Sequence, residues 1–292
     1  MNMNMYAIFA SYIIIALLSP VAVVGNALIL AAIWKKTFQR TPFHLLLSGL
    51  ALTDFCTGLI TQPFLAATPL LYLVNPNIVV NRPGLIKTLS VIGFVSLQYF
   101  GAATLLIITL MSVERWLYMS RRSFTTSRPG RLTACTLLLV NPTAMALLGL
   151  LMTMNKITEN LFHIVAVSHG LFCYSITCVA YFKVLRFIRQ HQQQIHGNHV
   201  SQNNGQPSIN FAKYKKSMAS ILYILGLFSL SMLPIIVFIV VRLLVGESVE
   251  VHAPSAICFV FLFLSSALNP VLYLWRMRDV RAGVRLLFCS NN

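Results

Sequence analysis

Seven long apolar runs occupy most of this chain of 292 residues, and each is long enough to cross a lipid bilayer. A helical span needs about 20 mostly apolar residues. Backbone groups in lipid must be satisfied within the structure, and runs of this length favour helices over the shorter alternating strands of a barrel. The sequence predicts an all-α membrane protein, a single seven-helix bundle covering 1–292. Spans one to seven are predicted at 8–34, 44–73, 86–118, 132–154, 161–187, 214–244 and 252–274.

Two segments outside the spans differ from ordinary short loops. Residues 190–210 are polar and rich in Gln, Asn and His, which predicts a flexible cytoplasmic loop. Residues 275–289 place Val280 and Val284 on one helical face and Arg281 on another. This pattern predicts an amphipathic helix at the membrane surface. Cys289 ends it and is a candidate for palmitoylation, or else a free thiol.

Basic residues are unevenly distributed between the two sides of the predicted bundle. The net charge is +16, but of 22 Lys and Arg residues only Arg82, Lys87, Lys156 and Arg242 fall on the side that holds the connections between spans two and three, four and five, and six and seven. Basic loops stay in the cytoplasm, so we expect the amino terminus outside the cell and the carboxyl terminus inside. The excess charge then faces anionic membrane lipid, and we do not expect a nucleic-acid partner.

A set of polar residues falls within the apolar spans. Asp54 lies in the middle of span two, where an unpaired carboxylate is costly and needs partners or a cation. The sequence predicts a polar network around it that holds a sodium ion, a proton or ordered water. Its predicted members are Asn26, Asp54, Thr104, Ser265, Ser266 and Asn269.

Two prolines and an acid–base pair lie within the predicted spans. Pro234 in span six and Pro270 in span seven each remove a backbone hydrogen bond and permit a kink. Glu114 and Arg115 end span three, where such a pair can exchange partners between two conformations. Taken singly, each of these signals is also compatible with an ordinary membrane helix.

The order and spacing of these motifs extend across nearly the whole chain. Asn26 follows Gly25 in span one, the run Leu50-Ala51-Leu52-Thr53-Asp54 lies in span two, and Glu114-Arg115-Trp116 ends span three. Phe228 and Pro234 lie in span six, and Asn269-Pro270-Val271-Leu272-Tyr273 ends span seven. This pattern resembles the rhodopsin-like (class A) G-protein-coupled receptors.

The resemblance implies a fold, a partner and individual roles. Arg115, beside Glu114, would engage a heterotrimeric G protein when span six swings outward, and Tyr181 and Tyr273 would stabilise that open state. Asp54 and Asn269 would belong to a sodium-sensitive network. Phe228, Met232, Pro234 and Pro270 would form the hinge and trigger. The protein would be a multi-pass component of the plasma membrane.

Several positions depart from the family pattern. Met232 replaces the usual tryptophan of span six, Ser90 replaces the outer cysteine of span three, and Cys173 replaces the usual proline of span five. The departures at Ser90 and Cys173, together with a short second outer loop between spans four and five, resemble the melanocortin, cannabinoid and lysophospholipid branch. Tyr214 replaces the acid that often pairs with the span-three arginine, which predicts basal activity.

The resemblance also implies a ligand pocket in the outer half of the bundle. Leu97 stands where amine receptors carry a carboxylate, so the predicted ligand is hydrophobic or lipid-like. Gln98 and His169 would orient the ligand, unless each instead forms a hydrogen bond with a neighbouring helix. The implied pocket residues are Leu97, Gln98, Gly101, His169, Ile235, Ile236, Phe259 and Phe263.

Other functions fit the sequence less well. No lysine follows Lys216, which excludes covalently bound retinal as a cofactor. A seven-helix transporter or channel is the alternative function, but it would need more ionisable groups along a path than Asp54 supplies. The spans show no metal-ligand spacing or nucleophile arrangement, so we do not expect an enzyme.

Overall fold

The described part of the protein is almost entirely helical. The computed structural model describes residues 3–35, 42–119, 128–197, 211–245 and 252–289. Within these ranges, seven helical segments are long and apolar enough to cross a membrane, and no strand occurs. The predicted fold class, a seven-transmembrane helix bundle, is confirmed.

The spans are longer than their apolar cores. Span one is Met3–Trp34, span three is Pro83–Met119, span four is Arg128–Thr153, span five is Glu159–Gly197, span six is Phe211–Val245 and span seven is His252–Arg276. Span two consists of Pro42–Cys56, a wide turn at Thr57–Thr61 and Gln62–Val74. A short helix, Ile78–Asn81, lies in the connection between spans two and three.

The predicted boundary between span five and the loop that follows it was wrong. Span five remains helical to Gly197, so the segment predicted as a loop from Gln190 is helical over its first eight residues. Glutamine is a good helix former, and polar residues do not end a helix once it has left the membrane. Residues 198–210 lie outside the described part of the chain.

The last helix is shorter and more firmly packed than predicted. It begins at Arg278 rather than at residue 275 and ends at Cys289; we call Arg278–Cys289 the terminal helix. Val280 is fully buried and Val284 packs against the same core cluster, so one face rests on the bundle. Phe288 is 70% exposed and remains available to lipid. The side chain of Cys289 lies outside the described structure.

The wide turn in span two has an identifiable cause. Pro63 has no N–H, and its ring crowds the carbonyl one turn earlier, which a π-helical turn relieves. The N–H of Gln62 accordingly bonds to the carbonyl of Thr57, five residues back. The carbonyl of Gly58 accepts a hydrogen bond of 2.8 Å from the Ser19 hydroxyl in span one. The turn is therefore braced by a neighbouring helix.

Among the described residues, two apolar clusters lie at different depths of the interior. The larger lies towards the end that carries Trp34, Arg115 and Arg276, which we call the basic end, and includes Leu50, Met111 and Phe228. The smaller lies towards the opposite, far end. Its buried members are Ile15, Ala66, Leu97 and Phe263. Polar side chains occupy the depth between the two clusters.

Candidate functional site

The buried carboxyl group of Asp54 anchors the polar layer. Asp54 is 2% exposed, and its Oδ2 atom accepts a hydrogen bond of 2.7 Å from the Nδ2 atom of Asn269. Ser266, one turn earlier in span seven, also interacts with this carboxyl group. Spans two and seven are thus joined across the centre of the bundle.

The other members of the predicted network form hydrogen bonds with partners other than Asp54. Asn26 is fully buried, and its Nδ2 atom donates to the carbonyls of Ala22 at 2.9 Å and Ser266 at 3.1 Å. The hydroxyl of Thr104 donates to that of Thr53 at 3.1 Å and so contacts the neighbour of Asp54 rather than Asp54 itself. The Ser265 hydroxyl donates a hydrogen bond to the carbonyl of Leu262 in its own helix.

Spans one and seven pack closely beside this network. A Cβ atom built on Gly25 would lie 2.9 Å from the Cγ atom of Pro270, so only glycine fits without displacement. Tyr273 follows within one turn and is fully buried. Its hydroxyl has no hydrogen-bond partner among the described residues.

The basic end positions Arg115 among rings from two other spans. The guanidinium carbon of Arg115 lies 4.0 Å from the centre of the Phe43 ring in span two, within range of a cation–π interaction. Tyr181, in span five, is buried and interacts with both Ser112 and Arg115. Glu114 is also buried, at 5% exposure. The structure therefore brings three of the predicted coupling residues, Glu114, Arg115 and Tyr181, together.

Sequence reasoning missed a second cation–aromatic cluster at this end. The Arg276 guanidinium lies 5.0 Å from the centre of the Tyr223 ring in span six and 5.9 Å from that of Trp275. The Tyr223 and Trp275 rings themselves meet edge to face at 5.6 Å. We call Tyr223, Trp275 and Arg276 the aromatic clamp, because it ties span six to span seven. The Trp-Arg pair after the last apolar run was its one sequence signal.

The far half contains part of the predicted ligand pocket. Leu97 and Phe263 belong to one buried cluster, against which Phe259 packs. Phe228 is buried lower in span six, and Met232 packs against that larger cluster. Leu97, Phe259 and Phe263 are thus brought together, while Met232 lies against the neighbouring cluster.

The remaining pocket residues are dispersed. The Nε2 atom of His169 lies 2.9 Å from the Nδ2 atom of Asn141 in span four, so His169 pairs between helices. Gln98 lies against span four, because its Cγ atom is 3.0 Å from where a Cβ on Gly149 would stand. Nothing lies within 4 Å of the corresponding point on Gly101. Ile236 is 37% exposed, whereas Ile235 and Pro234 are half-buried.

Two further polar residues were missed entirely. Thr61 ends the wide turn of span two and Gln62 follows it, and both are fully buried. Neither the Thr61 hydroxyl nor either end of the Gln62 amide has a hydrogen-bond partner among the described residues. The only sequence signal was the Gln-Pro pair within an apolar run.

An ion pair joins spans five and six at the far end. Arg242 contacts both carboxylate oxygens of Glu159, with distances of 2.6 Å and 2.9 Å. His163 lies 3.2 Å from the same carboxylate. Because Glu159 is 43% exposed, water screens this pair and its contribution to stability is modest.

Comparison with known proteins adds an independent finding. A family model described as 7 transmembrane receptor (rhodopsin family) matches residues 25–273. The histamine H2 receptors of Homo sapiens, Pongo pygmaeus and Gorilla gorilla gorilla are each 28% identical over 114 residues, or 39% of this chain. The chain spans 30% of the length of these relatives.

Proposed function

Because this chain belongs to the rhodopsin family of seven-transmembrane receptors, we propose that it transmits an extracellular ligand signal to a heterotrimeric G protein. Members of this family are receptors rather than enzymes, and the match does not favour a transporter or channel. The basic end would face the cytoplasm of a cell whose plasma membrane the chain crosses. The amino terminus would then lie outside and the carboxyl terminus inside.

The observation that carries this proposal is the environment of Arg115. Its guanidinium is held against Phe43 and beside Tyr181, at the end of the bundle where span six is fastened by the aromatic clamp. Release of span six would open a cleft beside Arg115. A ligand that binds the open state more tightly shifts the population towards it.

Nucleotide exchange tests the proposal directly. We expect purified receptor in nanodiscs to accelerate GTP binding by at least one G-protein class. Arg115→Ala should lower that rate at least tenfold, because the guanidinium would contact the G protein. Arg278→Ala, which removes an exposed arginine of the terminal helix, is the matched control. Equal rates for wild type and Arg115→Ala would contradict the assigned role.

The polar layer supports a second part of the proposal, a sodium site. Carboxylate, hydroxyl and carbonyl oxygens are the ligands that hard cations prefer. Asp54 supplies a carboxylate beside Ser266, and the Oδ1 atom of Asn26 is buried without a hydrogen-bond partner among the described residues. These residues would hold the ion and favour the closed state.

Thermal unfolding tests the sodium site. We expect the wild-type melting temperature to be higher in sodium chloride than in potassium or choline chloride at equal ionic strength. In Asp54→Asn the difference should disappear, because the amide has the same shape but no charge. A sodium effect of equal size in Asp54→Asn would show that the ion binds elsewhere.

The ligand is proposed to be hydrophobic or lipid-like. The relatives named above are histamine receptors, but Leu97 is a buried apolar residue where amine receptors carry a carboxylate. In the exchange assay, histamine should therefore leave the rate unchanged. A histamine-dependent increase would overturn this part of the proposal. Membership of the melanocortin, cannabinoid and lysophospholipid branch stays a prediction.

A further inference from the structure

The wide turn in span two directs two adjacent polar side chains into the interior. In a regular α-helix, neighbouring residues differ by about 100° in direction. The π-helical turn before Pro63 changes this spacing, and Thr61 and Gln62 are both fully buried. Because the Ser19 hydroxyl satisfies the freed carbonyl of Gly58, the turn is a built feature of the bundle.

Neither side chain has a hydrogen-bond partner in the part of the chain that the structure describes. The Thr61 hydroxyl and both the Nε2 and Oε1 atoms of Gln62 are buried without a hydrogen bond to any described residue. A buried polar group without a partner costs about 1–3 kcal/mol. Buried unpaired groups of this kind commonly mark a position where a water molecule or a ligand binds.

The surroundings define what would fit. One turn beyond Gln62, Ala66 packs with Ile15, Leu97 and Phe263, so the far side is an apolar wall. About two turns in the other direction lies Asp54. The site thus lies between a hydrocarbon-like region and the polar layer. A molecule entering from the far end would place an apolar body against the wall and a polar group at Gln62.

The amide of Gln62 selects the chemistry of that group. Its Oε1 atom accepts hydrogen bonds and its Nε2 atom donates them, and the Thr61 hydroxyl does both. An ammonium would leave Nε2 unsatisfied, a carboxylate would leave Oε1 unsatisfied, and either charge would be costly at this depth. A neutral group that both donates and accepts, such as a hydroxyl or a carboxamide, satisfies all three atoms.

We propose that Thr61 and Gln62 form a binding subsite for a neutral hydroxyl or carboxamide group of an otherwise apolar ligand. This inference rests on the proposed receptor function, because it names part of the ligand that the receptor would detect. Water shares the hydroxyl chemistry and is the competing occupant. When the ligand binds, its polar group displaces that water molecule.

Two lipid probes test the subsite without a signalling readout. The first is 1-oleoylglycerol and the second is methyl oleate, which has the same acyl chain but no hydroxyl. Each is added as a minor component of nanodisc bilayers, and the receptor melting temperature is measured as the probe fraction rises. We expect 1-oleoylglycerol to raise the wild-type melting temperature and methyl oleate to leave it unchanged.

Three variants identify the residues responsible. Gln62→Met and Thr61→Val keep the side-chain shape but remove the hydrogen bonds, and each should weaken the response to 1-oleoylglycerol about tenfold. Gln190→Met, at an exposed position on span five, should respond as the wild type does. If Gln62→Met does not fold, Thr61→Val alone decides the result.

Three other results overturn the assignment. An undiminished response in both variants would place the hydroxyl elsewhere. Equal increases in melting temperature with both probes would show that the subsite does not recognise a hydroxyl group. A lower melting temperature in Gln62→Met with no response to 1-oleoylglycerol in the wild type would show water as the only occupant. A probe response without G-protein activation would retain the subsite and contradict only the proposed function.

Discussion

A single glycine sets how closely spans one and seven can pack. A Cβ atom on Gly25 would lie 2.9 Å from Pro270 Cγ and 3.1 Å from its Cβ atom. The proline ring is rigid, so neither atom can move away without shifting a helix. The same contact adjoins Asn26 and the start of the Asn269–Tyr273 segment.

We predict that Gly25→Ala lowers the melting temperature of the receptor. Overpacking of this kind costs about 1–3 kcal/mol, because the backbones must separate. Gly170→Ala is the matched control, since nothing lies within 4 Å of its added methyl group. That change should raise stability by about 0.5–1 kcal/mol through helix propensity. A melting temperature for Gly25→Ala at or above that of Gly170→Ala would contradict the close contact.

At the scale of helices, aromatic rings join spans six and seven at the basic end. Arg276 and Trp275 from span seven both contact Tyr223 of span six. A cation–π contact at an exposed site contributes about 0.5–1 kcal/mol. Such a weak clamp can hold a resting state and still be released by a ligand.

We predict that Tyr223→Leu increases G-protein activation in the absence of ligand, because it removes the ring that Arg276 contacts. Tyr223→Phe retains the ring and should behave as the wild type does. The accompanying measurement is the distance between spin labels at the basic ends of spans six and seven. It should increase in Tyr223→Leu alone. Identical distances in the two variants would show that the clamp does not hold span six.

The helices themselves were largely predictable, because an apolar run of span length leaves few alternatives in lipid. The positions at which the helices end were less predictable. Span five continues to Gly197 because no residue before it breaks the helix. The wide turn that Pro63 causes is braced by a hydrogen bond between Ser19 and Gly58 from different spans. No local pattern reveals a contact between residues so far apart in sequence.

The candidate site, too, was only partly predictable from the sequence. The pairing of Asp54 with Asn269 was predictable from motifs, since both residue types are unusual within a span. The positions of His169, Gln98 and Ile236 were not, because direction around a helix decides which neighbour a side chain meets. His169 faces Asn141, a residue that the sequence did not distinguish from other polar groups.

At the scale of the whole molecule, an odd number of spans places the two chain ends on opposite sides of a membrane. Seven suitable helices occur in the described residues. We predict that an epitope tag at the amino terminus binds antibody on intact cells. A tag at the carboxyl terminus should bind antibody only after permeabilisation. Tags that are both accessible on intact cells would contradict the seven-span topology and with it the placement of Arg115.

The wide turn of span two also affects how this chain should be aligned with its relatives. It accommodates about one residue more than a regular helix of the same rise. A homologue whose second span is regular throughout would lack that residue, so a gap belongs between Thr57 and Thr61. Without the gap, every position from Gln62 to Val74 would be equated with a residue that points about 100° away. Mutational data transferred from such a homologue would then refer to the wrong side of the helix.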